Sequence, residues 1–294
     1  MLKKEESGIL FMLAAALFSA LNGALTKILT EDISALEVVF FRNFIGIFLI
    51  LYALKHTPPK LKGGKFHLLF LRGFFGFTAM ILFFYTIAQI PLGEAITLNK
   101  TSPFFVTVLA FFLLGEKLYL RTALALFIGF LGIVAITKPF GMAFSYIHLL
   151  GLLGGFFAAA AYTTIKKIKD IYDSRVIVLS FVFVGTVMPT LFFVLSPIVT
   201  VNEKFAFLFP HFIIPQSWQI WLLIGFMASI STLSQWLLTK AYSSKNLSVI
   251  GVISYTNIPF AIGFGYMLGD PFPDNLTLLG ILLIVSGGLL VSKK

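Results

Sequence analysis

Residues 66–89 read FHLLFLRGFFGFTAMILFFYTIAQ, Ile90-Pro91 follow, and residues 92–114 read LGEAITLNKTSPFFVTVLAFFLL. One helix over all of this would be about twice the roughly 20 residues that cross a bilayer core of about 30 Å. A proline removes a helix hydrogen bond and clashes with the turn before it. The break at Gln89-Ile90-Pro91 therefore divides the run into two spans, Phe66–Ala88 and Leu92–Leu114. The same criterion finds eight further spans: Ser7–Leu29, Ser34–Leu54, Leu120–Ile136, Ile147–Ile165, Arg175–Leu195, Gln219–Tyr242, Leu247–Leu268 and Leu276–Val291. The expected fold is all-α, a polytopic membrane protein of ten transmembrane helices.

Composition points the same way. Of 294 residues, 59% are hydrophobic and 12% charged, and the mean hydropathy is +0.98. Ordinary soluble domains carry about 25% charged residues. Too few polar groups remain to cover a water-exposed surface, which excludes a soluble enzyme, a disordered chain and a nucleic-acid binder. The continuous apolar runs also exclude a membrane barrel, whose strands alternate over about ten residues. Ser7–Leu29 is too long for a signal peptide and lacks a cleavage site. With no cysteine in the chain, disulfides, thiolate metal sites and cysteine nucleophiles are absent.

The net charge of +10 is sorted by the spans. With the N-terminus inside, cytoplasmic segments hold Lys3, Lys4, Lys55, Lys60, Lys62, Lys65, Lys117, Arg121, Lys166, Lys167, Lys169, Arg175, Lys240, Lys245, Lys293 and Lys294. Outside segments hold only Lys27, Lys138 and Lys204. Lys/Arg bias in short loops sets orientation, so both termini are expected in the cytoplasm and the charges are topology signals.

The chain also resembles itself at half its length. Leu114-Gly115-Glu116 closes the fourth span and Leu268-Gly269-Asp270 the ninth. Each is followed by a Gly-rich span ending in lysine: Leu131-Gly132-Ile133 to Lys138, and Ser286-Gly287-Gly288 to Lys293. The expected organisation is a five-helix repeat over residues 1–141 and a second over 142–294, in one membrane domain. Five is odd, so the repeats must be inverted. Inverted repeats recur in secondary transporters, with the substrate site near the bilayer midplane between them.

Several motifs resemble the EamA-like ten-helix branch of the drug/metabolite transporter superfamily. They are Ser19-Ala20-Leu21-Asn22 with Lys27, Phe41-Arg42, Arg72-Gly73 with Tyr85 and Ala88, and the run from Pro103 to Leu114-Gly115-Glu116. The resemblance spans nearly the whole chain and implies a bacterial inner-membrane carrier. Lys100 departs from it, standing where many relatives have an uncharged residue.

Ionisable groups at membrane depth are costly and mark function. Arg42 and Lys100 each lie eight residues into a span, about 12 Å below its outer end at 1.5 Å per residue. Lys100 falls on a stripe with Thr97, Thr101, Phe104 and Thr107. Other polar stripes are Ala15, Ser19, Asn22 and Thr26; Thr78, Tyr85 and Gln89; Ser231, Thr232, Gln235 and Tyr242 with Trp236; and Ser254, Asn257 and Ala261 with Tyr255. Tyr162 adds a sixth helix. The candidate substrate-binding residues are Lys100, Arg42, Asn22, Thr101, Tyr85, Tyr162, Gln235, Trp236, Tyr255 and Asn257. For single hydroxyls, helix–helix hydrogen bonding is an equally available role, and Arg42 has a structural alternative in pairing with Glu37, Glu94 or helix-end carbonyls. Pro103 and Pro259 read as kinks. The fifth and tenth spans lack polar stripes and belong at the periphery.

None of the twelve acids lies deep in a span. Buried Asp, Glu or His relays are the usual proton path, so a proton-coupled drug efflux pump is the second reading. The first is an exporter or exchanger of a small anionic or zwitterionic organic metabolite, such as an amino acid, working by alternating access. No nucleophile–base pair or metal-ligand cluster is present, so no enzyme, catalytic residue, metal or cofactor is expected. A non-transporting receptor leaves the repeat without a use. The expected partners are a small-molecule substrate and the lipid bilayer, with no nucleic acid; the state is monomer or homodimer.

Overall fold

A computed structural model describes residues 2–59, 63–114, 120–137, 145–242 and 253–292. Among them there are helices and no strand. The helices are α1 (Leu2–Leu29), α2 (Ala35–His56), α3 (Phe66–Gln89), α4 (Leu92–Asn99), α5 (Ser102–Leu114), α6 (Leu120–Thr137), α7 (Tyr146–Ile168), α8 (Ser174–Leu195), α9 (Trp218–Tyr242), α10 (Asn257–Met267) and α11 (Asn275–Ser292). Six are long and apolar enough to cross a membrane: α1, α2, α3, α7, α8 and α9. Gly115, Glu116, Lys117, Lys138, Lys245, Leu247, Gly251, Lys293 and Lys294, which carry parts of the expected repeat and charge pattern, lie outside the described residues.

Local chemistry sets the helix ends. Ser34 opens α2 with a capping box: its hydroxyl accepts from the Glu37 N–H, and the Glu37 carboxylate accepts from the Ser34 N–H at 2.8 Å. The α2 C-terminus runs into Thr57-Pro58-Pro59, which cannot continue a helix. Gly63, Gly64 and Lys65 all take positive φ before α3 begins. At the other end of α3, Pro91 separates it from α4, as the sequence requires.

The fourth expected span is not one helix. It breaks at Lys100 and Thr101, between α4 and α5. Pro103 supplies no N–H to the Asn99 carbonyl, so the ladder is interrupted one turn upstream of the ring. The Thr101 hydroxyl instead donates to the Leu98 carbonyl at 2.6 Å. Within the described part of the ninth span, a 3-10 turn at Ser254–Thr256 runs straight into α10, which carries Pro259. Sequence expected kinks at these prolines; at Pro103 the structure has a full break.

A third proline uses the freed acceptor. Pro189 lies inside α8 and leaves the Gly185 carbonyl without its helical donor. Asn43 on α2 fills the gap, its Nδ2 donating to that carbonyl at 3.1 Å. Gly185 must stay small, because a Cβ there would meet Asn43 Cγ at 2.8 Å.

The principal packed pairs are α3 with α7, α1 with α9, α2 with α8, α3 with α8, α2 with α9, α5 with α7, α1 with α10, α4 with α10, and α6 with α11. The α6–α11 pair stands apart, as expected for the fifth and tenth spans. Its glycines are used inside the chain: a Cβ on Gly132 would meet the Gly280 carbonyl at 2.7 Å, and one on Gly280 the Gly132 carbonyl at 2.8 Å. Small residues that let helix backbones touch are how bundles pack in lipid.

One face of the bundle is capped by the segment between α8 and α9. Ile213 N–H donates to Glu37, Ser196 donates to the Phe209 carbonyl at 2.7 Å, and Phe207 stacks on Tyr85 at 4.1 Å. On the opposite face Arg175 donates to the Thr57 carbonyl at 2.8 Å and the Ala53 carbonyl at 3.1 Å, closing the end of α2.

Candidate functional site

Helices α1, α2, α3, α7, α8 and α9, with the α4–α5 break and Asn257 at the start of α10, line a cavity of about 90 Å³. Its wall includes Ser19, Asn22, Arg42, Arg72, Lys100, Tyr162, Phe181, Gln235 and Asn257, and among the described residues no Asp or Glu. Three cations thus face one space with no described acid on its wall. Ligand sites usually measure about 300–1,000 Å³, so this conformation holds a few waters and must widen to take a metabolite.

Each cation is positioned differently. Arg42 is buried at 3% exposure. Its Nε donates to the Ser231 hydroxyl, one Nη1 contact reaches Met80, and another reaches Asn43 Oδ1 at 3.2 Å. It joins neither Glu37 nor Glu94. Glu37 is engaged by Ser34 and Ile213.

Arg72, on α3, is 2% exposed. Its guanidinium carbon lies 4.8 Å from the Phe181 ring centroid, and that of Arg42 lies 5.4 Å from the same centroid. The Arg72 head lies back over Gly76, one turn along, where a Cβ would collide with it and would meet Phe181 Cδ2 at 2.6 Å. Its Nε is buried without a hydrogen-bond partner.

Lys100 lines the cavity from the break between α4 and α5. A helix break turns a side chain and loose backbone groups into the space together, the arrangement that discontinuous helices give transporter sites.

Two asparagines complete the wall. Asn257 opens α10 and donates Nδ2 to the Ala16 carbonyl at 2.6 Å. Asn22 presents a buried Oδ1 that accepts no hydrogen bond. Buried polar atoms are almost always partnered. Asn22 Oδ1 and Arg72 Nε are exceptions to that rule on this wall.

Of the residues expected from sequence, Lys100, Arg42, Asn22, Tyr162, Gln235 and Asn257 line this cavity. The other four do not. Thr101 caps Leu98. Tyr85 stacks on Phe207 and shares a 3.0 Å hydrogen bond with Tyr146 near the capped face. Trp236 stacks under the Lys240 ammonium at 3.9 Å. Tyr255 is buried, its hydroxyl unpartnered. Arg72 also lines the cavity; from sequence it entered only as part of the family resemblance and not among the candidate site residues. The available signal was Arg72 followed by Gly76 at the i,i+4 spacing that puts two residues on one helix face.

Between the cavity and the capped face sits an ion pair. Lys27 on α1 donates to Asp270, whose other oxygen accepts the Leu92 N–H at 2.8 Å. Asp270 thus joins α1, the start of α4 and the link between α10 and α11. Beside it lies a second cavity of about 190 Å³, lined by Pro91, Glu94, Gly265, Asp270, Phe272 and Asp274 among others. Among the described residues no three His, Asp or Glu side chains are grouped as metal ligands.

The profile of the EamA-like transporter family matches residues 6–138. The pseudopaline exporter CntI of Pseudomonas aeruginosa is 32% identical over 98% of this chain and 96% of its own length. The chain belongs to the EamA-like transporter family. An uncharacterized transporter of Helicobacter pylori is 31% identical over 97% of this chain and 94% of its own. The S-adenosylmethionine uptake transporter of Rickettsia prowazekii is 26% identical over 99% and 94%. A crystal structure sharing 17% identity matches the fold with a TM-score of 0.65, covering 98% of this chain and 97% of the other. This EamA-like protein is therefore a multi-pass membrane transporter of the small-metabolite type and not an enzyme.

Proposed function

We propose that this EamA-like protein is a secondary transporter of a small anionic or zwitterionic metabolite, built from two inverted five-helix repeats and working by alternating access. The observation that carries the reading is the cavity wall: Arg42, Arg72 and Lys100 face one space that no Asp or Glu lines among the described residues. Unpaired charge in a low-dielectric site is expensive, and an anionic ligand group relieves it.

The packing supports the repeat. Counting α4 with α5 as the fourth span and the 3-10 turn with α10 as the ninth, adding or subtracting five turns the observed pairs into one another. The third–sixth pair becomes eighth–first, the second–eighth becomes seventh–third, and the first–ninth becomes sixth–fourth. Second–seventh, fourth–ninth and fifth–tenth map onto themselves. All of these pairs are among those packed. The fourth and ninth spans are partners under that exchange and touch each other through α4 and α10.

In this reading the ten-span protein lies in the bacterial inner membrane with both termini in the cytoplasm, as the Lys/Arg distribution requires. Substrate docks against Lys100 with Arg42 and Arg72, and Asn22, Asn257, Gln235 and Tyr162 supply hydrogen bonds. The capped face is then periplasmic, and parting Lys27 from Asp270 is a step in opening it. The named relatives include one exporter and one uptake transporter, so the family architecture serves both directions.

The test is flux in sealed proteoliposomes, screening anionic, zwitterionic and cationic metabolites with and without a pH gradient. Anionic or zwitterionic substrates should move, without requiring the gradient. Lys100→Ala should cut their flux by about tenfold or more, the scale of one lost charge-assisted hydrogen bond. Lys100→Glu should abolish it. Equal flux in all three proteins would remove the anion-binding role.

A further inference from the structure

Three cations around one cavity are more than a single carboxylate needs. Arg42 is held by Ser231, Asn43 and Met80. Arg72 has no such engagement: its Nε is buried and unpartnered, and it is spread over Gly76 and Phe181. Arg42 and Arg72 flank one ring, whereas Lys100 stands at the break between α4 and α5. The cationic groups therefore form two stations, a guanidinium pair on Phe181 and a single ammonium.

We infer that the transported metabolite carries two anionic groups, one taken by Lys100 and the other by Arg72 with Arg42 against Phe181. This rests on the anion-carrier reading above and narrows it. A guanidinium presents a planar fork that suits a carboxylate or phosphate, while an ammonium acts as a point charge. Lys100 thus accepts either kind of anion, and the arginine station is selective for a planar or phosphate-like group. The free Asn22 Oδ1 accepts no anion. It supplies an acceptor for an N–H or O–H on the ligand.

The test uses the purified full-length protein with two five-carbon probes, glutarate and pentanoate, which differ by one carboxylate. The readout is the concentration giving half-maximal thermal stabilisation at low salt. The wild-type protein should respond to glutarate at a concentration on the order of tenfold lower than pentanoate, the scale of one charge-assisted hydrogen bond. Arg72→Gln should erase that preference and keep the response to pentanoate; Arg72→Lys should keep part of the preference. Without ligand, Arg72→Gln should melt higher than wild type, because it removes an unpaired buried charge.

Equal responses to the two acids, or a preference that survives in Arg72→Gln, would overturn the inference. So would a lower melting temperature of unliganded Arg72→Gln, which would mark Arg72 as a packing strut. If both acids bind equally and Lys100→Gln abolishes both, the anion-carrier reading stands and only the second station falls. If neither acid binds, both readings fall.

Discussion

Lys27 and Lys100 are both lysines on the helical bundle, and the protein treats them in opposite ways. Lys27 has an acid within reach: Asp270 takes its ammonium and also accepts the Leu92 N–H. Lys100 faces a cavity wall with two arginines and, among the described residues, no acid. The first charge is neutralised by the chain and ties helices together. Under the proposed function the second waits for the substrate. On that reading the same residue type is structural in one place and substrate-binding in the other, and what separates them is whether the counter-charge is built in.

The widest effect expected from breaking this contrast is at Asp270. Asp270→Asn leaves Lys27 without its partner in a place where the side chains are only 21% and 12% exposed. Breaking a fully buried pair costs about 3–5 kcal/mol; partial access to water brings this nearer about 2 kcal/mol. Thermal unfolding in detergent should show a drop of several degrees, which Lys27→Met in the same chain should partly reverse. The chain has no cysteine, so a single cysteine at Ser19 reports access to the cavity. Its modification by an impermeant thiol reagent from the capped side should speed up in Asp270→Asn. Unchanged labelling would deny the pair any part in closing that face.

The opposite sign is expected at the other lysine. Lys100→Met removes a charge that has no built-in partner, and trading such a charge for a well-packed apolar group is worth about 1–2 kcal/mol. The variant should melt higher than wild type while losing anion flux. A protein that becomes both less stable and inactive would place Lys100 among the structural charges, alongside Lys27.

Much of this was legible in the chain. The spans followed from run length and from Pro91, because a bilayer sets a minimum length that soluble proteins do not have. Arg42 and Lys100 were visible as charges at depth. The helix break beside Lys100 was legible only as a kink, since a proline shows where a hydrogen bond is lost and not whether the helix resumes. Tyr85 and Trp236 lie off the cavity wall because a stripe fixes a helix face and not what faces it: Phe207 comes from elsewhere in the chain to cover Tyr85, and Lys240 one turn along covers Trp236. Arg72, six residues into the third span, was quoted for the resemblance and not counted among the charges at depth. Its long side chain climbs a turn over Gly76, so the charge sits deeper than the Cα.

A smaller test concerns how a cavity-wall arginine is held. Asn43 accepts from Arg42 Nη1 and donates to the Gly185 carbonyl that Pro189 leaves free. Asn43→Leu orphans that carbonyl and loosens Arg42, at a cost of about 1–3 kcal/mol for an unsatisfied buried group. Pairing it with Pro189→Ala restores the helical donor, so the double variant should recover most of the melting temperature. Flux should stay lowered, because Arg42 still lacks its neighbour. Full recovery of both would make Asn43 a helix-packing residue only.

The smallest effect belongs to a second ion pair, between near neighbours at a helix start. Asp173 caps α8 and accepts from the Arg175 side chain at 3.0 Å. That hydrogen bond, more than the opposing desolvation, holds its carboxyl below the ordinary range. A depressed folded-state value means the stabilisation is in place above the unfolded carboxylate value of about 3.9. It is lost as the pH falls from there through the folded-state value. The two side chains are 26% and 17% exposed, and at a helix end open to water the contribution of the pair is on the order of 0.5 kcal/mol. Asp173→Asn should therefore melt only slightly below wild type at pH 7, and the gap should close in acid. The Lys27–Asp270 side chains are similarly shielded, at 21% and 12% exposure, so added salt should shrink either gap at pH 7 only slightly, because partly buried pairs are screened much less than exposed ones. A large loss of the Asp270→Asn penalty in salt would place Lys27 and Asp270 in open water, and the distinction between a built-in latch and a waiting cavity would lose its physical basis.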